Sequence, residues 1–231
     1  MLDLPAYIPL LFGTTVVITL AIFHYTLVPA MGQRAWLVTA GLVLWAAGQS
    51  LLALTGFYLK DLDQLPPRFA LVLVPALLVI LMVFGRKRGR ALVDRLPLAP
   101  LTYVSAVRIL VELVLYELML SQAVPELMTF AGRNFDILAG ITAPLVAYFG
   151  LQRNKLNRRL LIGWHICALG LLLFIVINAI LSTPTPVQQF AFDQPNVAIF
   201  YFPFVLLPAL VVPIILFAHL ASLRRLFALP R

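Results

Sequence analysis

An all-α, polytopic membrane protein is the fold class this sequence predicts, and three observations predict it. Of its 231 residues 62% are hydrophobic and only 11% charged, with a mean hydropathy of +1.01, whereas soluble domains are about half apolar and a quarter charged. The apolar residues gather into seven runs close to the roughly 20 residues that a helix needs to cross a hydrocarbon core. The basic residues behind the formal charge of +8 gather in the short connections between runs, which reads as a topology signal. The expected partner is therefore the lipid bilayer, and no nucleic acid is expected.

The runs cover 6–30, 35–58, 68–85, 98–122, 135–152, 159–182 and 198–222. The first begins within MLDLPAYIPLL, where no basic stretch precedes the apolar residues, so it reads as a retained helix rather than a cleaved signal. The third is short unless it begins within the Pro66-Pro67 turn. The fourth carries charges along its length. Before the fifth comes PELMTFAGRNFDILAG, where Gly132 suits a tight turn and Asn134 a helix cap. The sixth contains the single cysteine, Cys167, so neither an intramolecular disulfide nor a cysteine metal site is available. The seventh follows STPTPVQQFAFDQPN, a polar, aromatic and proline-rich loop suited to an ordered lid or an interfacial anchor.

Lys and Arg set the orientation, because cytoplasmic loops carry the excess. One face receives Arg34, Arg86, Lys87, Arg88, Arg90, Arg95, Arg153, Lys155, Arg158, Arg159, Arg224, Arg225 and Arg231. The other receives Lys60, Arg68 and Arg133, together with Asp3, Asp61, Asp63, Glu126, Asp136 and Asp193. The N-terminus is thus expected outside and the C-terminus in the cytoplasm. The runs RKRGR and RNKLNRR also suit anionic lipid headgroups.

An internal match suggests the arrangement of the helices. Val72 to Phe84 reads VLVPALLVILMVF and Val205 to Phe217 reads VLLPALVVPIILF, with seven of thirteen positions identical. Fainter echoes place Gly41 and Gln49 opposite Gly170 and Asn178, and Asp63-Gln64 opposite Asp193-Gln194. With an odd helix between them the two halves run parallel, which gives a 3+1+3 repeat. The expected organisation is one membrane domain, 1–231, made of a three-helix unit at 1–86, a linker helix at 96–123 and a second three-helix unit at 134–225.

Charges inside a span are costly, so each is a candidate functional position. In the fourth run Ser105, Arg108, Glu112 and Tyr116 fall on one face, and Arg108 with Glu112 are i,i+4 neighbours able to pair. Glu117 lies roughly opposite and closer to the outside. Gln49 and Asn178 place one amide each in the second and sixth runs, open to packing or to a central site. Arg108, Glu112, Gln49, Asn178, Asp136 and Asn134 are the candidate substrate-binding residues. His24, His165 and His219 share a depth toward the cytoplasmic ends, but no pair has the i,i+4 spacing of a helical metal motif. They read as packing groups, and neither a metal nor another cofactor is expected. No nucleophile–base set, P-loop or zinc-protease motif occurs, so the chain leans away from enzymes.

The stretches VELVLYELML, PELMTFAGRNFDILAGITAP, QQFAFDQPN and YFPF resemble those of an uncharacterised family of bacterial seven-helix integral membrane proteins, over most of the chain. The resemblance implies the bacterial inner membrane and carries no activity with it. The 3+1+3 arrangement is also similar to SWEET-type sugar transporters in architecture, although their Pro-Gln signature is missing from the first helices of both halves. The leading expectation is a small-molecule or ion carrier with a polar site between two three-helix units, hinged at Pro75, Pro208 and Pro213. The alternatives are a non-transporting sensor or subunit, with a membrane partner or a second copy of itself, and an intramembrane enzyme.

Overall fold

The computed structural model describes residues 2–228, and every regular element among them is helical. Arg231 of the basic face lies outside the described residues. Helix α1 (Tyr7–Met31) leads through a 3-10 turn, Gly32–Arg34, into α2 (Ala35–Leu54). Gly32 takes a φ of +57°, which glycine adopts without the clash a Cβ would bring. The chain reverses there: His24 Nδ1 lies 2.7 Å from Thr39 Oγ1, and its ring sits 4.5 Å from that of Trp36. Fifteen residues of straight helix would separate the first pair by about 22 Å.

Helix α2 stops at Leu54, short of the expected 58, because Gly56 turns left-handed at φ +68°. The chain then folds Tyr58 back beneath it, buried among apolar side chains. Helix α3 (Ala70–Gly85) bends by 92° into the short α4 (Lys87–Val93). Only glycine fits at the bend, since a Cβ on Gly89 would lie 2.1 Å from the Val83 carbonyl oxygen. Arg90 donates to the carbonyls of Phe84 at 3.0 Å and Gly85 at 2.9 Å, covering the open end of α3. One arginine of RKRGR is thus committed to holding the bend.

Four helices follow: α5 (Leu98–Leu120), α6 (Asp136–Gln152), α7 (Arg158–Leu181) and α8 (Leu207–Ala228). Helix α5 contains a 3-10 turn at Val104–Ala106, α6 ends as π-helix over Val146–Gln152 after Pro144, and α8 begins as π-helix over Leu207–Val211. Four helical stretches are long and apolar enough to cross a membrane: 7–54, which is the α1–α2 hairpin, α5, α7 and α8. The bent pair α3–α4 makes a fifth, and α6 is shorter.

The last helix begins at Leu207 rather than 198. Pro203 has no N–H for a helical ladder and restricts Phe202 before it, so YFPF forms turns and only Ala198–Phe200 coils briefly. At its far end α8 runs past 222 to Ala228, because Arg224 and Arg225 reach away to the chain before α5. Arg224 pairs with Asp94 at 2.7 Å, and Arg225 donates to the Leu96 carbonyl.

The matched stretches lie side by side, with the Phe84 and Phe217 rings 5.8 Å apart, yet they fold differently. The first copy is an unbroken helix in which only Val72 and Ile80 are buried. The second begins in turns, passes through π-helix and is buried along most of its length. One difference is Pro213, which the first copy lacks: it has no N–H for the carbonyl of Ala209, four residues earlier. The indole N–H of Trp45, in α2, donates to that carbonyl instead at 2.9 Å.

Helix α5 forms the centre, packed against α1 on one side and α6 on the other, while α8 lies along α7. Its contact with α6 is close: a Cβ on Gly140 would lie 3.0 Å from the backbone nitrogen of Ile109. Between α5 and α6 the chain turns down into the bundle, burying Val124, Met128, Thr129 and Asn134. It starts α6 level with Glu112, about 12 Å below the end of α5 by helical rise. That descent brings the next charged groups to Arg108.

Candidate functional site

Helical spacing puts Ser105, Arg108, Glu112 and Tyr116 on the face of α5 that meets α8, α6 and the descending segment. Each finds a partner there. The Arg108 side chain is 1% exposed, and a buried guanidinium is costly unless it is paired and most of its donors are answered. One amino group donates to Asp136 Oδ1 at 2.7 Å and to the Ala168 carbonyl at 3.0 Å. The other lies 2.8 Å from His219 Nε2. Tyr116 stacks on Phe130, with ring centroids 4.9 Å apart.

The expected i,i+4 pair is not the one formed. Arg108 pairs with Asp136 of α6, and Glu112 instead accepts from the Asn134 amide through Oε1. Asn134 is fully engaged. It also donates to the Met128 carbonyl, and its own oxygen accepts the N–H of Asp136, both at 3.0 Å. It thereby satisfies an open N–H at the start of α6, as a cap does. Arg108 follows Asp136 because the carboxylate arrives at the helix start from across the bundle, whereas Glu112 is drawn toward the descending segment.

Donor logic carries the network further. Arginine has no acceptor, so His219 Nε2 faces Arg108 with a lone pair, and Ser105 Oγ stands 3.2 Å from the same nitrogen. The neutral ring then carries its hydrogen on Nδ1, 3.0 Å from Nδ1 of His165. His165 accepts there and turns its Nε2–H toward Thr102 Oγ1 at 3.4 Å, whose hydroxyl donates to the Leu98 carbonyl. A directed chain of hydrogen bonds therefore runs from Arg108 through two imidazoles to the start of α5.

Two polar atoms of the cluster have no partner among the described residues, Arg108 Nε and Glu112 Oε2. Arg108, Glu112 and Asp136 line a partly open cavity of about 80 Å³ among α3, α5, α6, α7 and α8, whose other lining side chains are all hydrocarbon or thioether. One fixed cation and two carboxyl-bearing side chains thus meet at the wall of a largely apolar space the size of a few waters. Among the described residues there is no group of three or more His, Cys, Asp or Glu placed to hold a metal ion.

The remaining candidates lie elsewhere. Gln49 accepts from the Tyr58 hydroxyl at 2.5 Å, and burial pushes that phenol up to about 12. Asn178 donates to the Phe174 carbonyl of its own helix at 2.8 Å. Neither lines the central cavity, so their matching positions in the sequence do not make a shared site. Glu117 accepts from Tyr7 of α1 at 2.6 Å. Of the three histidines two meet, and His24 stays in the α1–α2 hairpin. The depth the histidines share in the sequence anticipated the meeting of His165 and His219, and no sequence signal singled out Thr102. The loop before α8 closes over the descending segment: Gln194 donates to the carbonyls of Met119 at 3.1 Å and Val124 at 2.7 Å.

No curated protein and no solved structure matches the chain. A family does match it, over residues 65–227, a stretch that takes in α3 to α8 and every residue of the central cluster. The chain belongs to this family, described as Domain of unknown function (DUF8737).

Proposed function

We propose that the protein is an integral membrane protein of seven spans, with its N-terminus outside and its C-terminus in the cytoplasm, that carries a small polar solute or ion through the Arg108 cluster. The seven spans are the two arms of the α1–α2 hairpin and helices α3, α5, α6, α7 and α8. The bias of Lys and Arg toward one set of connections supports the orientation, and the likeness to bacterial membrane proteins supports an inner-membrane location. The short α6 suits a helix that starts below the surface, with the backbone above it shielded by the loop before α8.

One observation carries the carrier reading: an arginine, a glutamate and an aspartate, all buried, line a common cavity between α3 and helices α5 to α8. Intramembrane charges are retained where they handle a solute or an ion. Prolines at 75, 208 and 213 stand where α3 and α8 flank that cavity and its neighbouring groove, at points where the backbone ladder is already interrupted.

The test places a single cysteine at Ile175, which lines the cavity without belonging to the charged cluster, in a Cys167→Ser background. Intact cells and inverted vesicles are then exposed to a membrane-impermeant thiol reagent. Labelling from both sides is the expected result, with Val114→Cys in the packed core remaining silent. Silence at Ile175→Cys from both sides would end the carrier reading. The closed hydrogen bonding of Asn134 favours a second reading in that event, a static ion pair that locks a non-transporting subunit, which copurification of a stoichiometric partner would then identify.

A further inference from the structure

We infer that Glu112 binds and releases a proton at the central cavity, and that a proton is the ion that drives the cycle; the second clause rests on the carrier reading above and the first does not. The argument begins with a charge count. Arg108, Glu112 and Asp136 are 1%, 1% and 5% exposed, and Arg108 keeps its proton at any working pH. One guanidinium neutralises one carboxylate, and the 2.7 Å contact assigns that carboxylate as Asp136. An ionised Glu112 would be a second buried anion with only an amide for company, which is the situation a low-dielectric interior penalises most.

The neighbours leave no other source of compensation. From α8, His219 turns a lone pair to Arg108 and so bears no charge, and from α7 His165 accepts from His219. The descending segment offers the neutral Asn134, and α3 offers Phe69 and Leu73. A metal cation is equally unsupported, since hard cations demand a shell of oxygen ligands and the cavity has no side-chain oxygen beyond those of Glu112 and Asp136. A proton needs only Oε2. Protonated Glu112 accepts from Asn134 through Oε1 and carries its hydrogen on Oε2, the one carboxyl oxygen of the residue left without a partner. Glu112 lines a cavity of about 80 Å³, and a rotation of its carboxyl group brings Oε2 to water there, the acceptor this proposal assigns.

On release the O–H bond of Oε2 breaks, its electron pair stays on the carboxylate and the proton passes to a cavity water. Glu112 is then an anion one helical turn from Arg108, whose Nε is the other unpartnered atom of the cluster. The i,i+4 pair that the sequence suggests is the partner arrangement of this deprotonated state, and Arg108 is drawn from Asp136 and His219 toward Glu112. Loading and unloading one proton thus moves Arg108 between two sets of contacts, one of which reaches α6 and α8.

The experiment is infrared spectroscopy of the purified protein at neutral pH, in light and heavy water. Glutamate carrying carbon-13 in its carboxyl group is compared with unlabelled material. A neutral carboxylic-acid carbonyl band that shifts with the glutamate label, and is lost in Glu112→Gln, is expected. Absence of such a band from the unmodified protein, or a band insensitive to the label, would overturn the inference without reliance on any variant. Loss of the band on adding sodium ions at constant pH would also overturn it, in favour of a cation site. A persistent band alongside silent cysteine labelling would leave the proton site standing and remove the carrier.

Discussion

Arg108 of α5 donates to Nε2 of His219 in α8 at 2.8 Å, and that single contact fixes how two imidazoles are protonated. Because arginine only donates, His219 must be the Nδ1–H tautomer and His165, 3.0 Å beyond it, the Nε2–H tautomer. Nitrogen-15 spectra of histidine-labelled protein are therefore expected to show two neutral rings of opposite tautomer at neutral pH. In Arg108→Met the constraint on His219 disappears and its ring is expected to lose that fixed assignment. In a His24→Gln background, where His165 and His219 are the only imidazoles, two rings of the same tautomer would contradict the network.

The Arg108–Asp136 ion pair is predicted to be expensive to break and much cheaper to replace. Removing one partner of a buried pair leaves an uncompensated charge, at a cost of about 3–5 kcal/mol, whereas replacing both with apolar groups is often near neutral. Arg108→Met and Asp136→Leu should each lower the thermal midpoint in detergent. The double variant is expected to recover most of the loss, a coupling that a double-mutant cycle measures directly. Additive losses would mean that the two groups are stabilised separately.

The bond from Trp45 to the Ala209 carbonyl should matter only because of Pro213. Trp45→Phe keeps a large ring but leaves a buried carbonyl unanswered, at a cost of about 1–3 kcal/mol. In a Pro213→Ala background residue 213 regains an N–H for that same carbonyl. The cost of Trp45→Phe is then expected to fall by half or more. An unchanged cost would assign the tryptophan a packing role alone.

Much of this architecture is legible in the chain because the signals are local. Apolar runs of helical length mark the helices, and the spacing of Ser105, Arg108, Glu112 and Tyr116 declares a polar face on α5 before any partner is known. What that face meets is not local. Asp136 lies 28 residues beyond Arg108 and His219 lies 111 beyond it, and only the descent of the chain between α5 and α6 brings the carboxylate within reach. The i,i+4 rule counts neighbours on one helix and is blind to a competitor from another. Sequence identity misled in the opposite direction. The thirteen-residue match was real, but Pro213 alters the hydrogen bonding of one copy, and similar residues enter unlike structures. Gln49 and Asn178 occupy matched positions and are satisfied by Tyr58 and Phe174, partners that periodicity does not reveal.

The Asp94–Arg224 bridge supplies a pH dependence whose sign can be worked out. Hydrogen bonding from Arg224 holds the Asp94 carboxyl below its ordinary 3.8, assisted by the charges of Arg224, Arg225 and Arg90 and opposed by partial burial. A carboxylate lowered in the folded state adds stability that is whole above 3.8 and is lost as pH falls through the lowered value. Both side chains are about a third exposed or more, so solvent and salt hold the effect to about 1 kcal/mol or less. The thermal midpoint of the unmodified protein should therefore fall slightly further on acidification below 3.8 than that of Asp94→Asn, and added salt should narrow the gap. Since the bridge ties the end of α8 to the chain entering α5, hydrogen exchange in Asp94→Asn is expected to rise first in the last turns of α8. Parallel acid profiles and unchanged exchange would show that Arg225 and the Leu96 carbonyl hold that end without it.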